Sequence, residues 1–310
     1  MIFEKSLSEL LSQAWQIREE YFGNTVELRM ARNYLSQRRC TANCKFCGWS
    51  SIARTDCAKR QGLIVEDEGT TDIASCMASA KLAEQFGANF ELVCNIERLD
   101  DIEALAELTE AIRAASGIVP VGIQPGIIRP ANKAYLSALK SAGSSWYCND
   151  LETAPSYFPG VCTSHTIQEK LDSLRMAKEL GLPIWSGFCM GMGETRGQRI
   201  EAVETLRVMD VEGVILNFFY DFEGIPLHGK VEMISPEEIL KTIAVVRIML
   251  PTKPIIIGGG RSTRLGSQQY RIYEAGATGI YLGTFLNHPR PSVEKDLKII
   301  SELGLKIVRS

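Results

Sequence analysis

The sequence predicts a (β/α)8 barrel of the TIM type preceded by a helix, and three observations predict it. Short β-branched or aromatic runs alternate with helical patterns of ten or more residues along most of the 310-residue chain. Glycines stand where those helices should stop, at Gly87, Gly181, Gly276 and Gly304. Thiols, acids and amides gather just after the runs, and the carboxyl ends of the strands are where such a barrel places its chemistry.

From Leu7 to Tyr21 the apolar residues Leu10, Leu11, Trp15, Ile17 and Tyr21 recur at helical spacing, so residues 1–25 read as a helical cap over one end of the barrel. The first strand runs from Glu27 to Leu35. A charged stretch without clear period, Ser51 to Gly69, separates it from a helix over Thr70 to Phe86. Seven further strands are expected at Asn89–Asn95, Val119–Gln124, Ser144–Asp150, Pro183–Met190, Gly213–Tyr220, Lys253–Gly260 and Thr278–Thr284. Helices over 102–116, 131–142, 166–181, 194–210, 235–249, 263–275 and 292–303 follow them, which makes eight strand-helix units. No linker or short repeat divides the chain, and 45% hydrophobic residues suffice for one large core, so a single domain over 1–310 is expected.

A net charge of -3 gives no electrostatic footprint for nucleic acid, so small molecules or proteins are the expected partners. Nine cysteines in a short secreted chain would suggest disulfides, but the N-terminus is amphipathic and charged, without the apolar core of a signal peptide. A reducing, cytoplasmic setting is expected. No stretch approaches the roughly 18 apolar residues of a membrane span.

The most informative stretch is Cys40-Thr41-Ala42-Asn43-Cys44-Lys45-Phe46-Cys47, three thiols in eight residues leaving the end of the first strand. Three thiolates on one loop can grip one metal centre. A structural zinc site is closed by four ligands, and no CxxC or HxxxH pair follows at zinc-finger spacing. A [4Fe-4S] cluster held by three cysteines instead keeps one iron open for a cofactor, and it is preferred here over zinc or three structural thiols. Three more cysteines, Cys94, Cys148 and Cys189, fall at the ends of the second, fourth and fifth strands. They read either as small buried hydrophobes or as ligands of an auxiliary iron-sulfur cluster in the barrel mouth. Cys76, inside a helix, reads as core. Cys57 and Cys162, in loops, are the weaker candidates.

The C-x3-C-x2-C spacing with Phe46 before the last cysteine resembles the radical S-adenosylmethionine (SAM) superfamily. Further stretches are similar to its biotin synthase branch: Tyr147-Cys148-Asn149-Asp150-Leu151-Glu152-Thr153, Met190-Gly191-Met192-Gly193-Glu194-Thr195, Gly224-Ile225-Pro226-Leu227, Ile243 to Pro251, and the end of the chain from Ala275 to Leu297. The resemblance implies a barrel of the radical SAM kind that cleaves SAM to a 5'-deoxyadenosyl radical. It implies that Cys40, Cys44 and Cys47 bind the [4Fe-4S] cluster, Phe46 contacts adenine, Glu152 accepts from the SAM ribose and Lys170 holds the SAM carboxylate. Gly191 and Gly193 would let backbone approach the nucleoside. Without the resemblance, Glu152 would read as an acid at a helix N-terminus and Lys170 as a solvated helix charge.

The departures from the family bear on the substrate. Where biotin synthases hold a sacrificial [2Fe-2S] cluster, Cys94 matches the strand-two ligand, while the other ligand positions read as Val121, Trp185 and Ile256. Where the family contacts dethiobiotin through asparagines, this chain has Cys148 and Asp150, which become the candidate substrate-facing residues. The leading expectation is hydrogen abstraction from an unactivated carbon followed by sulfur insertion, as in archaeal-type lipoyl synthases or a variant biotin synthase, on a small-molecule or carrier-protein-bound substrate. An electron donor such as ferredoxin or flavodoxin and a partner radical SAM subunit are the implied proteins. The rival is a relative that forms no carbon-sulfur bond, such as a hydrogenase-cofactor maturase or methylornithine synthase, and a third reading is a non-enzymatic cluster scaffold. His165, His228 and His288 read as cap or surface residues. Arg261 and Arg264, after Gly258-Gly259-Gly260, offer an anion site as the alternative to close packing.

Overall fold

The structure, a computed structural model, describes residues 2–34, 40–54, 72–283 and 292–309. Eight parallel strands close a barrel: β1 Thr25–Tyr34, β2 Asn89–Cys94, β3 Val121–Gln124, β4 Ser144–Cys148, β5 Ile184–Met190, β6 Gly213–Phe218, β7 Ile255–Ile257 and β8 Gly279–Leu282. Each pairs with its neighbour in sequence order, and β1 pairs with both β2 and β8, so no strand edge of the eight is left open. Helices α1 Leu7–Phe22, α2 Ile73–Gln85, α3 Ile102–Ser116, α4 Lys133–Ser141, α5 Phe158–Val161, α6 Ile167–Glu179, α7 Arg196–Met209, α8 Pro236–Met249, α9 Arg261–Leu265 and α10 Val293–Glu302 accompany the strands. Several begin as their sequences dictate. Ser6, Thr166 and Thr195 each accept the third-residue N–H while Glu9, Glu169 and Gln198 return the bond, three capping boxes.

The eight-unit reading holds, with local corrections. The helix expected over 263–275 breaks at Gly266 into the five-residue α9 and a 3-10 stretch, Gly266–Ile272. β7 is shorter than expected because Pro254 precedes it and three glycines follow. A ninth strand, β9 Lys306–Val308, which the exposed pattern of its side chains hid, pairs with Thr25–Glu27 of β1. Helix α1 packs along α8, and its buried Arg18 donates to the carbonyls of Ala277, Gly23 and Thr25 at the starts of β8 and β1.

Strand alternation sorts the side chains into two cores. Phe90, Leu92 and Cys94 of β2, with Val121 and Ile123 of β3, face outward under the helices. Inside the barrel lie Val93, Trp146, Cys148, Trp185, Ile215, Ile256 and Tyr281. A Cβ at Gly122 would fall within the Trp146 indole and one at Gly213 within the Trp185 indole, so these two glycines make the room the rings fill. The Arg29 guanidinium stacks 3.6 Å from the Trp185 ring centre and 4.9 Å from that of Trp146. It donates to Glu27 at 2.7 Å and lies 3.8 Å from Glu91, which the Tyr281 hydroxyl also bonds. The barrel is thus filled, below its mouth, by aromatic rings around one paired cation.

Candidate active site

The cysteine loop leaves the carboxyl end of β1 and is tied across the mouth to the opposite wall. Lys45 N–H donates to the Val161 carbonyl at 2.9 Å, Leu227 N–H donates to the Lys45 carbonyl at 3.0 Å, and the Asn43 side chain bonds Thr163 and Ser164. Cys40, Cys44, Cys47 and Phe46 line one cavity that opens at the barrel mouth. Burial pushes the Cys47 thiol up to about 12 and also raises Cys40, so a metal must displace their protons to bind. The Cys44 Sγ lies 3.6 Å from Cys162, whose own sulfur is 3.5 Å from His165 Nδ1; the three ligand atoms fall within 4.8 Å of one another. Sequence reasoning had set Cys162 and His165 aside, and no local spacing relates Cys162 to Cys44. His165 is buried and 3.2 Å from Glu97, which also accepts from Thr41 of the cysteine loop. His228 is exposed and bonds Asp221, whereas Cys57 and His288 lie outside the described residues.

Glu152 and Lys170 come together in the same cavity. Glu152 starts no helix: it has φ 68 and its carbonyl accepts from Cys189 N–H at 2.8 Å, which excludes the helix-terminus reading. Lys170 is buried, not solvated, and its ammonium donates to Asn149 Oδ1 at 3.1 Å, the Asp150 carbonyl at 2.8 Å and Glu152 Oε1 at 3.0 Å. Burial pulls Lys170 down most strongly, but Glu152 together with Cys44 and Asp150 outweighs it and the net shift is upward. Gly191 and Gly193 do not line the cavity. Their backbone has positive φ, 95 and 103, a Cβ added to Gly191 would fall 3.2 Å from Ile234 and one added to Gly193 2.6 Å from the Tyr157 hydroxyl, and the loop is stapled by Glu194, which accepts from Gly191 and Met192 N–H at 2.8 Å.

The strand-end cysteines occupy three different settings. Cys94 packs with Phe90 and Leu92 at the helix layer and also borders the cavity, beside Val93, which lies in the barrel interior. On β3 the inward residue is Gly122, not Val121. Cys148 is fully buried beneath Asp150, its sulfur 3.8 Å from Asp150 Oδ1, and does not line the cavity. Cys189 does line it. Above the aromatic layer, Asn95, Gln124, Asp150, Cys189 and Asn217 form a polar ring around the cavity floor. The amides of this ring were missed in sequence, although strand alternation places Asn95 two residues beyond Val93 and Asn217 two beyond Ile215. The anion site at Arg261 is also excluded, because that side chain is buried in a two-pronged pair with Asp296 at 2.9 and 2.7 Å.

A barrel with three thiols on the loop after β1, facing an acid-lysine pair in one cavity, is the constellation of a SAM-cleaving iron-sulfur protein. The model of the Radical SAM superfamily matches residues 34–206, and that of the Biotin and Thiamin Synthesis associated domain matches residues 215–306. The biotin synthase of Geotalea daltonii is 36% identical over 306 residues, covering 97% of this chain and 89% of that protein. That of Endomicrobium trichonymphae is 33% identical over 98% of this chain and 91% of its own. Among solved structures, a methylornithine synthase superposes with a TM-score of 0.80 at 20% identity, covering 98% of this chain and 89% of that one. The FeFe-hydrogenase maturase of Carboxydothermus hydrogenoformans superposes at 0.77 and 17%, covering 99% and 74%. These two likenesses establish the fold alone. The chain belongs to the radical SAM superfamily and, within it, to the biotin synthase-like branch. It is a radical SAM enzyme, whose family cofactors are a [4Fe-4S] cluster and SAM. No helix among the described residues is long and apolar enough to cross a membrane.

Proposed function

We propose that this enzyme cleaves SAM reductively at the barrel mouth, abstracts hydrogen from an unactivated carbon of a small-molecule or carrier-bound substrate, and inserts sulfur there. The observation that carries the SAM half is the single cavity shared by Cys40, Cys44, Cys47, Glu152 and Lys170. The donor set suits the cluster: three thiols on one loop leave room for a cofactor at the fourth position. When bound, the cluster supplies the electron that cleaves SAM to methionine and a 5'-deoxyadenosyl radical. Glu152, oriented by its bond from Lys170, would accept from the ribose hydroxyls, and Phe46 would form a wall for the adenine. The polar ring beneath positions the substrate, and the apolar walls around Phe219 and Phe222 exclude water from the radical. An electron donor such as ferredoxin or flavodoxin completes the reaction, and a partner radical SAM subunit fits the lipoyl synthase version.

Sulfur insertion needs a sulfur source; among the described strand-end thiols Cys94 and Cys189 border the cavity and Cys148 lies just beneath it. One observation favours a second reading without sulfur insertion, as in a maturase or methylornithine synthase. Trp185 and Ile256, at positions the resemblance assigns to ligands of the relatives' second cluster, fill the barrel interior together with Trp146. Anaerobic reconstitution decides between them: about four irons per chain with deoxyadenosine formation supports the second reading, and a clear excess of iron and sulfide supports sulfur insertion. No deoxyadenosine from SAM under reduction would remove both.

A further inference from the structure

Asp150 stands at the carboxyl end of β4, lines the cavity and is buried, with 6% of its surface exposed. Its side chain has two partners, both neutral: Asn217 Nδ2 at 3.2 Å from Oδ2 and the Cys148 sulfur at 3.8 Å from Oδ1. Among the described residues it makes no ion pair. The cations near it are committed elsewhere. Lys170 is bonded to Asn149, Glu152 and the Asp150 backbone carbonyl, and Arg29 in the layer below is bonded to Glu27. A buried carboxylate without a cation is strongly disfavoured, so a group with this environment either stays protonated or takes a positive charge from a ligand.

The surroundings are built to hold the group in place. Gly259 N–H donates to Asn217 Oδ1 at 2.6 Å, which turns the amide so that its NH2 faces Asp150. One acceptor oxygen is thereby steadied from the β6 side, while the carboxyl still borders the open cavity. Two strands away, Asn95 is 7% exposed, lines the same cavity, and its Nδ2 has no hydrogen-bond partner. An acid lacking a cation and a donor lacking an acceptor thus border one space.

Resting on the SAM-cleaving reading above, we infer that the substrate carries a primary amine, bound as its ammonium ion against Asp150, with an acceptor group of the same molecule meeting Asn95. The ammonium supplies the missing charge and up to three donors to a carboxyl whose own side-chain partners are one amide and one thiol. A neutral ureido or amide head has no such need for an acid. Truncating one partner of a buried charge pair costs enough to predict a loss of about thirtyfold or more in affinity for the Asp150→Asn variant.

The test is calorimetric binding to the anaerobically reconstituted, SAM-loaded protein. The probes are L-lysine, 6-aminohexanoate and 1,6-diaminohexane, their N-acetylated counterparts, and dethiobiotin as a neutral-headed control. At least one free amine should bind, acetylation of the recognised nitrogen should abolish binding, and Asp150→Asn should lose it by the stated factor. The inference is overturned if the acetylated compounds or dethiobiotin bind as well as the amines, if no amine binds, or if Asp150→Asn weakens SAM binding instead. Should Asp150→Asn not fold, the comparison of free and acetylated amines on the parent protein still decides. Deoxyadenosine formation from SAM alone, measured on the same preparation, tests the underlying reading separately.

Discussion

Two layers of one barrel, a single inward step apart along each strand, treat polar groups in opposite ways. In the lower layer Arg29 is enclosed by Trp146 and Trp185 and paired with Glu27, and Glu91 is bonded by Tyr281. In the upper layer Asp150 lacks a cation, Asn95 lacks an acceptor, and five thiols line an open cavity. The lower layer pairs its charges within the barrel, although Glu91 Oε1 and Trp146 Nε1 have no hydrogen-bond partner, and it serves stability. The upper layer leaves its groups for ligands and serves chemistry. Substitutions in the two layers should therefore separate activity from stability.

The sharpest separation is expected at Cys44. Cys44→Ala should abolish deoxyadenosine formation while the apoprotein keeps its circular dichroism and denaturation midpoint, because the loop lies outside both cores; retained SAM cleavage would break the assignment of the upper layer. Arg29→Ala should do the reverse. It leaves Glu27 and Glu91 buried and unpaired, a change that costs about 3–5 kcal/mol, read by denaturant unfolding. A loss below about 1 kcal/mol there, well under that range, would mean that the lower layer is not held by its ion pair.

Glu152→Ala should weaken SAM binding by about 1.5–3 kcal/mol, the range for hydrogen bonds to a charged group. Titration calorimetry showing unchanged SAM affinity would reduce Glu152 to a partner of Lys170. The smallest effect is expected from Asp150→Asn on the apoprotein. Burial first, and then the neighbouring Glu152, hold the Asp150 carboxyl well above its ordinary range. The folded state therefore keeps a proton that the unfolded chain releases near pH 3.9, and stability falls as pH rises above that value. The Asn variant lacks this slope, so it should be the more stable protein at pH 7, with the advantage vanishing below about pH 4. Parallel stability-pH curves for the two proteins would contradict that.

The fold was legible because its signals are local and repeat. Alternating strand and helix patterns gave eight units, and the cysteine motif identified its own loop. What stayed hidden depends on which way a strand residue points and on how helices meet in space. Cys94 and Val93 are adjacent and both apolar, and only the register of β2 against β1 decides that Val93 faces inward. Lys170 looks like any helix lysine until α6 packs its base against β4, and Cys162 meets Cys44 across 118 residues of chain. Gly191 and Gly193 differ again: the family pattern assigns them to ligand contact, while packing alone already requires glycine there, since an added Cβ would crowd Ile234 or Tyr157.

The bond between Tyr281 and Glu91 spans 190 residues of sequence and lies where the last strand meets the first two. Contacts so distant along the chain cost the most loop entropy to close, so they form after the local strand-helix units have collapsed. Their worth is then absent from the folding transition state. Tyr281→Phe should leave the refolding rate nearly untouched and shorten the lifetime of the native barrel, which makes this one hydroxyl a latch on unfolding.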